Sequence, residues 1–282
     1  MFAPLKQTLY KFLTHATRRH WMPWNAIKFV GVERREDPGE LERLAEKTAR
    51  AEQQYFAGLR SIADHVARMI RSYPSLETEG AAELTSLLYE YAKALKPWAK
   101  RHALKMLMDV NGRDIDTWRA LSGALGQQLR FDIRNTPVGH LFAERMAEQV
   151  DLITSLPTKA AQRVVKLTQE ALVNGVRSTD LIDEVMRSGE VTFNRAKLIA
   201  RTEVATTASV LQEARARQAG STHYTWETAG DADVRPGHRV MQGQVCSWDN
   251  PPLVNENGRM MRHHPGRIWN CRCWPAAIIP EL

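Results

Sequence analysis

Hydrophobic residues recur every three or four positions along most of the first 220 residues, and this spacing is typical of amphipathic helices. The longest such stripe runs from Leu41 to Tyr73 and predicts one helix that begins at Pro38 and ends before Pro74. A second stripe predicts a helix that ends before Pro97, because proline lacks the N–H group that continues a helix. The first third of the chain is therefore predicted to be mostly helical.

A third stripe over residues 115–129 predicts a helix for which Asp114 or Asp116 supplies the N-cap. Gly175 is predicted to cap the C-terminus of a later helix, and the run Ser178–Asp180 to cap the N-terminus of the next. The other helical stripes are predicted at about 139–155, 158–174, 178–187 and 193–218.

The composition changes after Gly220, which is predicted to close the last helix. The segment THYTWET alternates in the period of a strand, CRCWPAAII predicts a closing strand, and turn-forming residues crowd the stretch between them. A tail of roughly 60 such residues offers too little apolar material for a core, so we expect a cross-linked polar site to hold it. The predicted fold class is mainly α: an elongated helical body followed by a small, loop-rich α+β C-terminal subdomain.

These changes in pattern predict four segments along the chain. An arm rich in basic and aromatic residues comes first, and a helical body follows it. A helical segment then docks the tail, which is rich in His and Cys and forms short strands. The bounds are residues 1–35, 36–150, 151–220 and 221–282.

The charge of the chain is uneven. The whole chain carries 39 Lys+Arg against 32 Asp+Glu, a formal net charge of +7. Residues 1–35 hold seven basic residues and one acidic residue, so most of the excess charge, +6, lies in this segment. Such a segment favours contact with phosphate backbones or with a groove on a partner, although a solvated amphipathic helix has the same composition. For sequence-independent contact with double-stranded DNA we select Lys6, Lys11, Arg18, Arg19, Arg259, Arg262 and Arg267.

The sequence shows no sign of membrane insertion. No stretch approaches the roughly 20 uninterrupted apolar residues that a membrane helix needs. The N-terminus has charges every few residues instead of the basic head, apolar block and small-residue cleavage site of a secretory signal. We therefore expect a cytoplasmic protein without a membrane partner.

The tail concentrates the residues that are suited to metal binding. Zinc favours thiolate and imidazole ligands, and a structural zinc supplies folding energy to a subdomain that lacks a core. The alternative is that the cysteines pack as small buried hydrophobes and the histidines form loop hydrogen bonds. The residues concerned fall within 36 positions and are His238, Cys246, His263, His264, Cys271 and Cys273.

A catalytic use of the same region needs a nucleophile, a base and an orienting group. No complete motif supports it, because HExxH, Walker A, GxSxG and GxGxxG are missing, as is the His-x-Glu of zinc deaminases. We therefore expect no enzymatic activity. The alternative that stays open is a nuclease or toxin-like effector that uses the C-terminal His/Asp/Cys cluster, with His238, Arg235 and Asp231.

Two ordered motifs precede the tail. The first is a pair of helices, from Ile153 onward, that are joined through a G-x-x-S turn at Gly175 and Ser178. The second is A-x-x-I-A-R-T-E, which contains Arg201, Thr202 and Glu203. Arg201 and Glu203 lie about 200° apart around a helix, so they point to different neighbours, and a structural tie to the tail is favoured over catalysis.

Two further motifs follow in the tail. W-x4-D-x-x-V-R-x-x-H-x4-G begins at Trp226, and H-P-x4-N-C-R-C ends at Cys273. In this order the four motifs resemble the phage Mu F-like minor head proteins, also called phage head morphogenesis proteins. The motif residues to which we assign a structural role are Arg201, Thr202, Glu203, Asp231, Arg235, Gly243, Asn270 and Arg272.

The resemblance implies a minor structural head protein of a tailed phage or prophage, without enzymatic activity. It implies a role in head morphogenesis at the portal and in DNA packaging or delivery. The implied partners are the portal protein and the major capsid or scaffold protein. The implied location is the capsid interior near the portal, and the host cytoplasm during assembly.

The resemblance also bears on the metal. Many family members have a C-x-x-C knuckle where this sequence has Arg235-Pro236-Gly237-His238, so only His238 of this turn can be a ligand. The implied structural zinc site then consists of His238, His264, Cys271 and Cys273. Without a metal, we expect the same residues to converge and Asp231 and Arg235 to form a charge-assisted hydrogen-bond network.

Overall fold

The computed structural model describes residues 27–29, 38–73, 78–122, 138–174 and 178–280. Within these residues, five long helices precede a group of short strands, and the predicted mainly α fold class with a small C-terminal α+β subdomain is confirmed. The long helices are α1 (Pro38–Arg71), α2 (Thr78–Ala94), α3 (Lys96–Ser122), α4 (Gly139–Asn174) and α5 (Ser178–Gln218). The other elements are β1 (Ile27–Phe29), β2 (His223–Glu227), a short helix α6 (Pro236–Arg239), β3 (Val245–Ser247), β4 (Leu253–Glu256), β5 (Arg259–Arg262) and β6 (Trp274–Ile279).

The five long helices pack around one apolar core. From Ala51 onward, the stripe on α1 that the sequence predicts is buried there, with Leu59 and Val66 fully inaccessible. Gly58 lets α1 approach α3 closely, because a Cβ at this position would lie 2.1 Å from His102 Nε2. Gly189 has the same role between α5 and α1, where a Cβ would lie 2.8 Å from Ala67 Cβ.

Two predicted breaks between helices are wrong. The predictions at 139–155 and 158–174 describe the single helix α4, which continues through Pro157. Proline removes one helical hydrogen bond, but the neighbouring residue Leu156 is fully buried and packing outweighs this loss. The predictions at 178–187 and 193–218 likewise describe one helix, α5.

The predicted N-cap at Asp114 or Asp116 is also wrong. Both residues lie inside α3, which begins at Lys96 and has Pro97 in its first turn, where proline is tolerated. Asp114 instead forms an ion pair with Arg215 of α5.

Gly220 closes α5 as predicted. Its φ of +80° is a conformation that glycine adopts without strain. The Ser221 N–H donates to Ala216 O at 2.9 Å, and the Gly220 N–H donates to Arg217 O at 3.0 Å, which is the Schellman motif. This motif turns the chain from α5 directly into the sheet of the tail.

The tail forms a four-stranded sheet in the order β1-β6-β2-β3 and a separate hairpin of β4 and β5. Strand β2 pairs antiparallel with β6, with Tyr224 opposite Ala277, while β1 pairs parallel with β6. The β4–β5 turn has positive φ at Asn257 and Gly258, as a two-residue hairpin turn requires. Residues 27–29, which we assigned to the N-terminal arm, thus form the edge strand of the tail's sheet.

The expectation that the tail lacks an apolar core is wrong. A second cluster of buried residues lies between the sheet, the end of α5 and α3. It is rich in aromatic side chains, which bury much more area per residue than aliphatic ones. Its largest buried members are Trp118, Trp226, Trp248 and Tyr224, of which Trp118 comes from α3.

Several predictions lie outside the described residues. These are the Gly175 cap, the part of the third helix beyond Ser122, and the arm apart from residues 27–29, together with the side chains of Ser178–Asp180. Among the residues that the structure describes, no helix combines the length and the apolar character that a membrane span requires.

Candidate functional site

The candidate site lies where the short helix α6 meets the hairpin and the turn that leads into β6. Helix α6 begins at Pro236, directly after Arg235. Gly237 lets it lie against β4, because a Cβ there would come within 2.0 Å of Asn255 O. This close contact directs His238 into the interior, where it is 2% exposed.

Both sulfur atoms of the C-R-C motif face one nitrogen of His238. His238 Nδ1 lies 3.3 Å from Cys273 Sγ and 3.6 Å from Cys271 Sγ. The Cys273 N–H also points to Cys271 Sγ, at 3.4 Å. Asn270, with a φ of 55°, makes the turn before the two cysteines, which are buried and free of disulfide bonds.

The other nitrogen of His238 faces a buried carboxylate. His238 Nε2 and His263 Nε2 both bond Glu256 Oε1, the second at 2.9 Å. Arg235 Nη1 lies 3.3 Å from Glu256 Oε2, so this carboxylate is surrounded by cationic or donor groups. We did not select Glu256 from the sequence, because a lone Glu in a hairpin strand carries no motif.

The electrostatics of the cluster follow from its hydrogen bonds. The bond from Cys273 and the nearby His238 hold the pKa of Cys271 well below its usual value, whereas the same pairing and burial raise the pKa of Cys273. Burial favours neutral His238, but the Cys271 thiolate and Glu256 outweigh it and raise the His238 pKa. Burial opposes ionisation of Glu256, yet His238, His263 and Arg235 lower its pKa. These residues therefore form one buried hydrogen-bonded network in which the acidic groups of Cys271 and Glu256 face the basic groups of His238 and Arg235.

The structure does not bring His264 into this cluster. Its Nδ1 lies 2.9 Å from the Tyr224 hydroxyl and its ring stands against Trp248, whereas the His238 ring stands against Trp226. Burial is the main cause that lowers the pKa of His264 to about 4, and the Arg267 cation adds to it. These surroundings favour a neutral His264 ring whose Nδ1 accepts a hydrogen bond from the Tyr224 hydroxyl.

We predict that His264 makes the protein less stable in mild acid. Its pKa is near 6.5 when unfolded and about 4 when folded, so protonation favours the unfolded chain as pH falls from 6.5 toward 4. The loss is up to roughly 3 kcal/mol across that window and is absent above it. Urea unfolding of wild type and His264→Gln across this range measures it, and the variant should show a flatter profile. Parallel profiles would contradict the prediction. The nearby titratable and charged groups Glu213, Arg217, His263 and Arg267 are common to both proteins.

The A-R-T-E motif binds the turn before the cysteines. The Asn270 N–H donates to Thr202 Oγ1 at 2.9 Å, and Arg201 Nη1 donates to Asn270 Oδ1 at 3.0 Å. Arg201 Nε also lies 3.5 Å from Glu52 Oε1 of α1. The motif therefore joins α5, α1 and the N-C-R-C turn.

Glu203 of the same motif points the other way, toward α4. Its Oε2 accepts from Gln149 Nε2 at 2.6 Å and from Arg145 Nη2 at 2.5 Å. The Tyr55 hydroxyl in turn donates to Gln149 Oε1 at 2.6 Å, which extends the network to α1. The carboxylate of Glu203 thus joins α5 to two other helices of the body.

The remaining motif residues of the tail bond to other residues of the tail. Asp231 pairs with Arg272, at 2.7 Å from Oδ1 to Nη2, and not with Arg235 as the metal-free expectation had it. Arg235 instead pairs with Glu256 and donates to Trp269 O at 2.6 Å. Gly243, with a φ of +77°, donates its N–H to Trp226 O at 2.8 Å and ends the turn into β3.

The residues selected for DNA contact differ in what is available to a phosphate. Arg267 is engaged inside the protein, where Nη2 bonds Glu213 Oε2 at 2.5 Å and Ser209 O at 3.1 Å. The prediction that Arg267 contacts DNA is therefore wrong, because its guanidinium is already bonded to Glu213 and Ser209. Arg259 and Arg262 lie on the exposed strand β5. Lys6, Lys11, Arg18 and Arg19 lie outside the described residues.

The fold and site define an α+β domain that docks on a helix carrying A-R-T-E and is closed by a C-terminal Cys/His turn. Residues 162–275 match the model of the family described as Phage Mu protein F like protein. This match covers the part of the chain that carries the four motifs, and it agrees with the resemblance that they predict. The family suggests a phage head morphogenesis protein.

A sequence relative and the solved structures add two findings. An uncharacterized protein from Haemophilus influenzae is 29% identical over 160 residues, which cover 56% of this chain and 34% of the relative. The chain thus spans about a third of that relative's length. No solved structure matches this chain.

Proposed function

We propose that this protein is a minor structural component of a tailed-phage or prophage head that acts in head morphogenesis at the portal. The observation that carries this is the family match over residues 162–275 together with the contacts of its motifs. The A-R-T-E helix and the N-C-R-C turn contact each other through Asn270, so the motifs serve the integrity of the domain.

A structural role also agrees with the accessibility of the reactive groups. Cys271 and His238 are each 2% exposed, and a nucleophile and base at that depth offer no route for a macromolecular substrate. The buried arrangement supports a protein without enzymatic activity over the nuclease or toxin-like alternative. Its partners in this proposal are the portal protein and the major capsid or scaffold protein.

The helical body supplies a surface for such a partner. Leu104 and Met108 lie one turn apart on α3 and are 43% and 60% exposed. Two large apolar side chains at this spacing form a ridge that a partner helix could cover. We propose that this ridge and the N-terminal arm make the portal contact, in the capsid interior.

Contact with packaged DNA is the finer part of the proposal. The arm has a net charge of +6 from seven basic residues and one acidic residue, and Arg259 and Arg262 are exposed in the tail. Sequence-independent phosphate contacts would let the protein remain with DNA during packaging or delivery.

The experiment that tests the proposal is incorporation into heads. We predict that deleting residues 1–26, or replacing Leu104 and Met108 with Glu, lowers incorporation at least tenfold, equivalent to about 1.4 kcal/mol of binding. The deletion stops at residue 26 because β1 pairs with β6 and should be kept. Quantitative blotting of purified heads, made by co-expression with portal and capsid genes of the phage or prophage that encodes the protein, measures the effect.

The matched control is Arg60→Glu on α1, an exposed residue that lies outside the ridge and the arm. It should be incorporated normally, and circular dichroism should show that all variants are folded. Normal incorporation of both the deletion and the Leu104/Met108 variant would contradict the proposed contact. Absence of the wild-type protein from heads would contradict the proposed function itself.

A further inference from the structure

Three donor atoms in the tail are spaced as the ligands of one metal ion. His238 Nδ1, Cys271 Sγ and Cys273 Sγ all lie within 4.8 Å of one another. Two ligand atoms bound tetrahedrally to the same zinc at about 2.0–2.3 Å are about 3.6 Å apart. The two nitrogen-to-sulfur distances are 3.3 and 3.6 Å, so little movement is needed to enclose an ion.

The surroundings of His238 are those of a metal-binding imidazole. Its second nitrogen bonds Glu256, and a carboxylate in this position fixes the ring orientation and directs the free lone pair to the metal. Glu256 is itself held by His263 and Arg235. The ring therefore has one possible orientation, with Nδ1 toward the two sulfurs.

The charges also balance when a divalent ion is added. Two thiolates neutralise the ion, His238 binds it as a neutral ring, and Arg235 compensates Glu256. Burial of an unbalanced charge is strongly unfavourable, so this balance matters for residues that are 2–6% exposed. Among abundant divalent ions, two thiolates with one imidazole select zinc.

We propose that His238 Nδ1, Cys271 Sγ and Cys273 Sγ bind one zinc ion and that Glu256 positions His238 through Nε2. With three protein ligands, the fourth position is taken by water. His264, whose Nδ1 is bonded to the Tyr224 hydroxyl, is not a ligand. The site cross-links α6 to the turn before β6 and is independent of the proposed role in the head.

The first test is the metal content of the full-length protein. After expression in zinc-supplemented medium and desalting, elemental analysis should find close to one zinc per chain. Cys271→Ser, Cys273→Ser and His238→Ala should each reduce this at least fivefold. Cys246→Ser and His264→Gln are the matched controls, because both remove a buried candidate ligand outside the cluster and should retain zinc.

A second test does not depend on the ligand variants being folded. Wild-type protein that is stripped with chelator and loaded with cobalt(II) should show the thiolate-to-cobalt charge-transfer band, which the Cys246→Ser variant should keep. Glu256→Ala should bind zinc 10–100-fold more weakly than wild type in a chelator competition, since the loss of an orienting carboxylate has this effect. Thr222→Ala, in the same subdomain but exposed, should not change the affinity.

Three results would overturn the proposal. One is a wild-type chain without zinc or a cobalt–thiolate band after reconstitution with excess metal. Another is loss of zinc in His264→Gln at full retention in His238→Ala, which would define a different site. The third is equal zinc affinity of Glu256→Ala and wild type, which would remove the positioning role of Glu256. A metal-free result would leave the hydrogen bonds among these residues as the cross-link.

Discussion

Replacing Asp114 with Ala should lower the free energy of unfolding by about 3–5 kcal/mol, because it leaves a buried cation without its partner. The Arg215 side chain is 2% exposed and forms an ion pair with Asp114, and its Nη2 bonds Asn111 Oδ1 at 2.6 Å. Burial lowers the Arg215 pKa to about 10, so the guanidinium is still charged at neutral pH. Urea unfolding of the two proteins, followed by circular dichroism, measures the difference.

The control for Asp114→Ala is Glu90→Ala. Glu90 forms an ion pair with Lys93 at 2.6 Å, but the two side chains are 65% and 70% exposed, so the expected loss is below about 1 kcal/mol. A double replacement, Asp114→Leu with Arg215→Met, should recover most of the loss, since apolar side chains of similar volume replace buried ion pairs well. Similar small losses in both single variants would contradict a buried-charge explanation.

This ion pair has consequences for the tail as well as for the body. Arg215 lies one residue before Ala216, which belongs to the apolar core of the tail, and Trp118 of α3 is buried in the same core. Asp114 and Trp118 are one turn apart on α3. One turn of α3 therefore contributes both an ion pair with α5, through Asp114, and a buried side chain of the tail's apolar core, Trp118.

The sequence predicted the helices from periodicity but not where they end. Helix α1 was predicted almost to the residue, because its stripe is continuous and prolines lie at its start and just beyond its end. Pro157 and Gly189 are local signals to stop a helix, and tertiary packing outweighs both. An aspartate carboxylate can cap a helix or pair with a buried cation. The sequence does not separate these two uses, and for this reason Asp114 resembled an N-cap.

The tail shows a different limit. Its strands β2 and β6 were predicted, but the parallel pairing of residues 27–29 with β6 joins positions about 250 residues apart, and no local pattern encodes it. The tail's core was underestimated because Trp118 and the end of α5 contribute to it. Counting only the tail's own apolar residues omitted the helices against which it packs.

The candidate site could be predicted in part. The motif order brought forward His238, Cys271 and Cys273, which the structure places together. Between His263 and His264, the sequence cannot decide which points to the cluster, because adjacent residues on an extended chain face opposite sides. The position of Glu256 beside His238 depends on the register of the β4–β5 hairpin, which is fixed by the turn at Asn257 and Gly258.

Replacing Glu203 with Ala should destabilise the protein by about 2–3 kcal/mol, because Arg145 and Gln149 lose the acceptor that joins α4 to α5. The Arg145 and Glu203 side chains are 13% and 14% exposed, so the loss should be smaller than for the deeply buried Arg215 pair. Glu148→Ala is the matched control, since Glu148 pairs with the same Arg145 but is 47% exposed, and its expected loss is under about 1 kcal/mol. Denaturant unfolding of wild type and both variants measures the two losses in the free energy of unfolding. If Glu148→Ala were as destabilising as Glu203→Ala, the charge of Arg145 alone would explain the effect, and the A-R-T-E glutamate would have no special part in holding α4 against α5.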